Sequence, residues 1–373
     1  MVQVLTLNKK IENNKKFFLK TNENGVVPGF SIFPEFHYKG YKHANNLIGL
    51  KDVKPEDIDI GGIIKDEEEY IKENHNICGN AIQSISPLCN LPWNDVILGA
   101  RLEISKNSYA PSTYPTDKTK EIYRTKKILV EKKWLNKLLE YIDKIIEFSN
   151  GRYPVSAPNL RGPSDMLQLL WDDGYLNMIY KMNDEPDSVK NALNILADFY
   201  IEMRQKTFKN IPLLYGGTPV VNFNIWAPEK TFFLQEDAAG AILSPNLYRE
   251  FIYPMDCKII NEFPNLVFHM HTDSGYKNMI DTILENKKLN LVNIMLDPSG
   301  PTIEKLMPEY KKVLNAGKSL YLNTNHRSTI PLVEFENVIK NLPDKGKGVF
   351  FHMKVSSKKE AEDILKFIQD CYN

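Results

Sequence analysis

The sequence predicts an α/β fold, and within that class a closed (β/α)8 barrel of the TIM type with additional N-terminal segments. From about residue 152 to the end, strand-like and helix-like patterns alternate, with connections too short for a second independent domain. The number of these units and the length of 373 residues fit an eightfold barrel better than an open doubly wound sheet. No G-x-G-x-x-G turn is present to support a dinucleotide-binding fold. We therefore predict one domain over residues 1–373, in which residues 1–130 contribute N-terminal extensions or a cap.

The amino-acid composition argues against several classes of binding partner. Lys plus Arg and Asp plus Glu each number 47, so no overall charge attracts nucleic acid or an anionic membrane. No apolar run approaches the roughly 18–20 residues that span a bilayer, and the N-terminus lacks the apolar segment of a signal peptide. The four cysteines are scattered without C-x-x-C spacing, which argues against disulfides and against a cysteine-rich zinc site. We expect a cytoplasmic protein that binds neither nucleic acid nor membrane.

The elements of the barrel are predicted from the period of the apolar residues, which is near two in strands and 3.6 in helices. An amphipathic helix over 135–146 precedes the regular alternation. The predicted strands cover residues 27–35, 153–157, 219–225, 231–237, 266–273, 289–297, 319–323 and 349–352. The predicted helices cover residues 163–171, 189–203, 245–263, 276–284, 303–314, 332–342 and 358–371.

The strongest functional signal is the run Leu266–Gly275, which ends in two histidines and an aspartate before a glycine turn. Alternation along an extended segment sends His269, His271 and Asp273 to one face, because side chains two apart point the same way. A helical pattern follows at once, so the cluster lies at the carboxyl end of a strand, where parallel α/β folds usually build their sites. Histidine and carboxylate ligands suit Zn²⁺, and also iron, cobalt or nickel, so the sequence leaves the metal open.

Further candidates lie at the ends of the neighbouring predicted strands. His352 ends the last strand and is a possible third metal ligand or general acid–base group, while His326 follows the preceding strand on the same rim. Glu236 and Asp237 close another strand, where one of the two carboxylates ligates metal or moves a proton, or both are simply solvated. Of the two, we select Glu236.

Three more residues are predicted to contact a cofactor or substrate. Asn159 and Arg161 follow a predicted strand, and Arg161 either holds a carboxylate or phosphate of the substrate or pairs with a neighbouring helix. Trp226 is a candidate aromatic wall.

Several short segments resemble the uroporphyrinogen decarboxylase superfamily, which includes corrinoid-dependent methyltransferases that pass methyl groups to a thiol. Pro158–Asp165 is similar to the family's "gPfd" segment, and Asp184–Val189 to its "dPe-v" helix entry. Gln235–Ala238 and Leu243–Pro254 together resemble the "D…isPe-F-ef-P" block. His271–Gly275 falls where the methyltransferases have a His-x-Cys-Gly zinc motif. These pieces occur in the family's order, and the resemblance implies a barrel with its site at the carboxyl ends of the strands.

The sequence departs from both branches of that family. The decarboxylases resemble one another in an N-terminal arginine segment that clamps substrate carboxylates, whereas the first arginine here is Arg101. The thiol methyltransferases use His and Cys ligands, whereas this chain has Asp273 in place of the first Cys and His352 near the expected position of another. The resulting set of ligands contains nitrogen and oxygen rather than sulfur.

We expect a metal-assisted methyltransferase that moves a methyl group from a corrinoid protein or small donor to a thiol or pterin acceptor. His269, His271 and His352 would hold zinc, with Asp273 as alternative ligand or base, while Glu236 and Arg161 orient the acceptor. Two alternatives remain open. One is a cofactor-free decarboxylase or lyase that acts on a carboxylate substrate, and the other is a non-catalytic corrinoid or tetrapyrrole binding protein.

Overall fold

The computed structural model describes residues 4–23, 25–32, 37–263, 265–324 and 332–372, without the side chains of residues 37 and 332. The strands are β1 Val27–Ser31, β2 Arg101–Ile104, β3 Pro111–Tyr114, β4 Gly217–Val220, β5 Ile225–Pro228, β6 Phe232–Gln235, β7 Leu266–His271, β8 Leu291–Met295, β9 Ser319–Asn323 and β10 Val349–Lys354. The helices are α1 Leu7–Leu19, α2 His37–Gly40, α3 Ile60–Asn74, α4 Trp93–Ile97, α5 Asp117–Thr125, α6 Lys132–Ser149, α7 Pro163–Leu167, α8 Tyr175–Asp184, α9 Pro186–Phe208, α10 Asp237–Ile242, α11 Pro245–Leu247, α12 Tyr253–Glu262, α13 Tyr276–Ile283, α14 Met307–Asn315, α15 Leu332–Asn341 and α16 Lys358–Tyr372.

A parallel sheet organises the C-terminal half of the chain. Its hydrogen-bonded order is β1-β10-β9-β8-β7-β6, and every neighbouring pair is parallel. From β7 to β10 a helix follows each strand, as the alternation of apolar patterns predicts. The predicted α/β class is therefore confirmed, and the strand over residues 319–323 has the predicted bounds.

The sheet continues beyond its two edges through isolated contacts rather than full strands. Arg161 forms a parallel bridge with Gln235 of β6, and Val155 forms another with Ile85. The backbone N–H of Asn80 donates to the carbonyl of Pro28 in β1, 2.9 Å away. The prediction of a strand over 153–157 is wrong in that only Val155 pairs there, because the flanking prolines at 154 and 158 lack the N–H that a ladder needs. Within the described residues the continuous ladder thus has six strands, and a closed barrel is not shown.

A hairpin takes the place of the strand predicted over residues 219–225. Asn222 and Asn224 have positive φ angles of 68° and 51°, so the chain turns back between β4 and β5 instead of continuing. Phe223 at the tip packs against Phe233 and Tyr321, with ring centroids 4.7 and 5.2 Å apart. Helix α1 packs against β5 of this hairpin.

The inward face of the sheet changes from apolar to polar along the strands. The apolar part is one buried cluster with the hairpin, and it includes Phe17, Val27, Val220, Phe223, Ile225, Phe233, Val267, Leu291, Tyr321 and Phe350. Two residues further along three of these strands stand His269, Asn293 and Asn323, which are also buried. The outward faces pack on the helices and form the main core. The polar residues therefore lie next to this buried apolar cluster, which we call the apolar floor of the site.

The helices largely agree with the predicted periodicity. The helix predicted over 163–171 continues as a 3-10 turn after Leu167, and the one predicted over 303–314 begins with a 3-10 turn over Glu304–Leu306. Helix α9 covers the predicted helix over 189–203 and is longer, since Pro186 provides a preorganised first turn. The helix predicted over 245–263 divides into α11, a π-helical turn over Tyr248–Ile252 and α12. Pro254 explains this division because it has no N–H for an intrahelical bond. Among the helices in the part of the chain described here, none is long and apolar enough to cross a membrane.

Candidate metal centre

The candidate site is built on two adjacent rows of inward-facing residues at the carboxyl edge of the sheet. In the first row, Gln235, His269 and Asn293 are register partners on β6, β7 and β8. His271 stands two residues after His269, so it faces the same side in the second row. The predicted convergence of these two histidines at a strand end is what the structure shows.

The ring of His269 is held in one orientation by its neighbours. Its Nδ1 contacts Asn293 Oδ1, and Asn293 Nδ2 donates to the carbonyl of Tyr321 at 2.9 Å. Because that second bond places the amide oxygen toward His269, Nδ1 is the donor and Nε2 keeps a lone pair. Burial and the nearby His271 lower the pKa of His269 to about 4, so this ring is neutral.

The ring of His271 is held by a carboxylate. Its Nδ1 lies 2.9 Å from Asp297 Oδ1, while Asp297 Oδ2 accepts from the backbone N–H of Thr272 at 2.7 Å. Burial lowers the pKa of His271, but the charges of Asp237 and Asp297 outweigh that effect and raise the pKa to about 9. Burial likewise opposes ionisation of Asp297, yet its bond to His271 leaves the pKa of this carboxyl below the ordinary value.

The two Nε2 atoms face each other at 3.1 Å. When both Nδ1 atoms carry hydrogen, two lone pairs meet, and such an arrangement requires a cation between or beside them. A proton on His271 is one solution, and a metal ion bound by both nitrogens is the other. Asp237 Oδ1 lies 3.8 Å from His271 Nε2, which adds a carboxylate oxygen to the set.

Two groupings in the described residues are compact enough to hold a metal. Asp237, His269 and His271 have potential ligand atoms within 4.8 Å of one another, and so do His271, Asp273 and Asp297. We favour the first grouping because both oxygens of Asp297 already accept hydrogen bonds, one from His271 Nδ1 and one from the backbone N–H of Thr272. Imidazole nitrogens supported by Asn293 and Asp297, together with the carboxylate of Asp237, match the donor set of a catalytic zinc site.

Asp273 lies outside the strand that the sequence pattern predicts for it. Strand β7 ends at His271, and Asp273 occupies the following turn, where it is exposed and accepts from Ser299 Oγ at 2.9 Å. It reaches His271 only as a member of the second grouping. Its proposed role as ligand or base stays a prediction.

His352 is not brought to the histidine pair. It is fully buried on β10, and its Nε2 lies 2.7 Å from Ser31 Oγ. Burial lowers its pKa to about 3, and neither metal-competent grouping of the described residues includes it. His326 lies outside the described residues, so its prediction has no structural counterpart.

The structure places Glu236 and Arg161 in networks of their own. Glu236 is fully buried and accepts from the backbone N–H of Ser164 at 2.8 Å, while the adjacent Asp237 faces the histidines. Arg161 binds Asp95 at 2.9 Å and lies 3.6 Å from Asp165, so two carboxylates already neutralise its guanidinium. This is the helix-pairing arrangement that the sequence left as the alternative to substrate binding.

The two remaining candidates lie on different sides of the apolar floor. Asn159 donates to Gln235 Oε1 at 3.2 Å, and Gln235 in turn bonds Asp237, which connects Asn159 to the site. Trp226 lies on the hairpin, where it packs with Ile11 and Ile82. Its indole N–H donates to the carbonyl of Leu214 at 2.6 Å, so the ring belongs to the hairpin core.

Sequence reasoning missed Asn293 and Asp297, the two residues that orient the histidines. Both belong to the predicted strand over 289–297, where Asn293 interrupts an apolar run and Asp297 ends it. A polar residue in an otherwise apolar strand, beside the strand that carries the histidines, is the signal that could have identified them.

No family model matches the chain, and a search of curated proteins also gives no match. Among solved structures, the chain is similar to a methyltransferase from Methanosarcina mazei, with a TM-score of 0.61 and 12% sequence identity. The match covers 97% of this chain and 99% of the other. At this identity the similarity concerns the fold, which extends over nearly the whole of both chains.

Proposed function

We propose that this protein is a metal-assisted methyltransferase that moves a methyl group to a thiol or pterin acceptor from a corrinoid protein or small methyl donor. The observation that carries the proposal is the pair of Nε2 atoms of His269 and His271, which face each other at 3.1 Å. Each ring is held in place through its Nδ1 atom, by Asn293 and by Asp297 respectively. The name of the solved structure with a similar fold and the resemblance to the superfamily both support the class of reaction.

His269, His271 and Asp237 would hold the metal, and zinc is the first candidate because nitrogen and carboxylate ligands suit it. Zinc would supply Lewis acidity that lowers the pKa of an acceptor thiol and so gives a nucleophile near neutral pH.

The protein itself would orient the metal-binding histidines and exclude water from one side of the site. Asp297 and Asn293 fix the tautomers of the two histidines, so that both Nε2 lone pairs point to one place. Beneath them, Phe223 and Phe233 lie with ring centroids 5.5 and 5.6 Å from that of His269, which excludes water from that side. An acceptor would therefore approach from the side of the carboxyl edge.

We further propose that the sheet belongs to an eight-stranded barrel whose second and third strands are reduced. Ile85 and Val155 form one parallel bridge, Arg161 and Gln235 form another, and Asn80 bonds β1. These contacts are in the order that closure requires between β1 and β6. In this arrangement residues 1–130 supply the first two strands and additional segments around them.

The two alternative functions receive less support. A lyase that binds a carboxylate needs a free cation, and Arg161 is already paired with Asp95 and Asp165. A corrinoid or tetrapyrrole binding protein without catalysis gives no reason for two histidines whose Nε2 atoms are aimed at each other. The bond between His271 and Asp297 suits proton transfer in a lyase as well as metal binding, so it does not distinguish these two functions.

Elemental analysis of the purified protein tests the proposal. We expect about one equivalent of zinc or another transition metal, lost in His269→Ala and in His271→Ala. His75→Ala is the matched control, since this histidine is exposed. Absence of metal from the folded, unsubstituted protein, or its retention in both variants, would contradict the proposal.

A second comparison separates the two metal-competent groupings. Asp237→Asn is expected to weaken zinc binding, because it removes the only carboxylate of the favoured grouping. Asp273→Asn is expected to leave binding unchanged. The opposite pattern would assign the metal to His271, Asp273 and Asp297.

A further inference from the structure

Beside the histidine pair, two buried side chains have polar atoms that lack partners. Asn323 at the end of β9 is fully buried, yet neither Oδ1 nor Nδ2 bonds any part of the chain described by the structure. Its register partner His352 is also fully buried, and its Nδ1 has no partner within the same ranges. Buried polar groups are nearly always paired. Three such atoms on residues of adjacent strands therefore mark a place where a bound molecule can supply the partners.

These two residues lie in the same register row as His271. The row runs from His271 through Met295 and Asn323 to His352, across four adjacent strands. Asn323 is thus two strands from His271, or roughly 10 Å along the sheet. A small molecule that reacts at the histidine pair is long enough to contact Asn323 with its other end.

Among the residues that the structure describes, those that surround Asn323 and His352 are electrically neutral. Ser31 bonds His352 and also accepts from Asn224 Nδ2 at 3.1 Å. Below them, Tyr321 and Phe350 are stacked with their ring centroids 5.3 Å apart. Burial lowers the pKa of His352 to about 3, so that ring is uncharged.

Among the described residues, the nearest charged groups along the flanking strands belong to the next row toward the carboxyl edge. Lys354 follows His352 by two residues and is half-buried, and Asp297 follows Met295 by two residues. Toward β7 the same row ends at His271, with Met295 between it and Asn323. A charged group placed against Asn323 would therefore find no counterion among the described residues of this row, and burying an unpaired charge is costly.

We infer that Asn323 and His352 recognise a neutral amide or lactam edge on the methyl acceptor, an inference that rests on the proposed methyl transfer. An amide presents a donor and an acceptor side by side, which is the complement of the two free atoms of Asn323. His352 Nδ1 is available for a third hydrogen bond. A carboxylate presents acceptors only, so it would leave Asn323 Oδ1 unpaired.

Two matched thiols test this inference: 3-mercaptopropionamide and 3-mercaptopropionate, which differ in the head group. Binding of each to the zinc-loaded protein is measured by calorimetry. We expect the amide to bind at least about tenfold more tightly, because the carboxylate leaves a buried acceptor unpaired. In Asn323→Ala the two affinities should lie within about threefold of each other. Asn183→Ala, at an exposed position, should keep the full preference.

Other outcomes separate this inference from the proposed function. The inference would be overturned if the two thiols bound equally well to the unsubstituted protein, which is the result expected if buried waters alone satisfy Asn323. It would also be overturned if the preference for the amide survived in Asn323→Ala. Asn323→Ser replaces Asn323→Ala if the latter does not fold. In His271→Ala both thiols should bind more weakly with the amide preference retained. Unchanged affinities in that variant, together with the amide preference, would support the head-group site and refute thiol binding at the metal.

Discussion

The bond between His271 and Asp297 offers the sharpest test of the candidate metal centre. In Asp297→Asn the side chain keeps its shape, but one of its two positions becomes an NH₂ group. That group must face either the Nδ1–H of His271 or the backbone N–H of Thr272, which lie 2.9 and 2.7 Å from the present carboxylate oxygens. Loss of a charge-assisted bond at this buried position is worth roughly 1.5–3 kcal/mol. We therefore expect zinc affinity to fall by roughly ten- to hundredfold.

Competition with a chromophoric chelator measures this change directly. Asp363→Asn on α16 is the control, because that carboxylate is exposed and pairs only with Lys359. The thermal midpoint of the metal-free variant is recorded beside it, so that a folding defect is recognised. Zinc affinity equal to that of the unsubstituted protein, in a folded variant, would refute the role of Asp297 in orienting His271.

Three further predictions concern buried charges. Arg161→Leu leaves Asp95 and Asp165 without their cation, and urea unfolding should show a loss of about 3–5 kcal/mol. Burial raises the pKa of Asp256 to about 7, so this carboxyl stabilises the native state at low pH and ceases to do so as pH rises through 7. Asp256→Asn should therefore gain roughly 2 kcal/mol relative to the unsubstituted protein between pH 5 and pH 8, again by urea unfolding. Zinc binding at pH 7 should release about one proton, measured by calorimetry in buffers of different ionisation enthalpy.

The fold was predictable where the sequence carries a regular period. The alternation from residue 266 onward predicts β7, β8, β9 and β10 with their helices, because buried parallel strands read as short apolar runs. The reduced segments near Ile85 and Val155 were not predictable as they stand, since prolines interrupt their pairing while the apolar pattern continues. The hairpin that ends β4 at Val220 depends on positive φ angles at asparagines, which a strand pattern does not indicate.

Only the central pair of histidines in the candidate site was predictable from the sequence. Strand alternation places His269 and His271 together, but it cannot show that β7 stops there, so Asp273 falls in a turn. The sequence prediction selected Glu236 rather than Asp237. These adjacent residues point in different directions, and it is Asp237 that faces the histidines, whereas Glu236 is buried against Ser164. Glu236 Oε1 and Asp256 Oδ1 lack donors among the described residues, and burial and the neighbouring Asp256 raise the pKa of Glu236. One proton shared by these two carboxyls satisfies both, which is a structural arrangement between helix α12 and the sheet.

Proton and metal compete for the same two lone pairs, and this competition links the electrostatics of the site to its proposed chemistry. In the metal-free protein the pKa of His271 is raised to about 9, although burial opposes it, because Asp237 and Asp297 favour the imidazolium. A metal ion that binds His271 Nε2 at pH 7 must therefore displace that proton, and zinc affinity should rise with pH until about pH 9. The same carboxylates that hold the proton then stabilise the metal, which is why Asp297→Asn weakens both. If zinc bound without proton release at pH 7, either His271 would already be neutral in the metal-free protein or the metal would lie elsewhere.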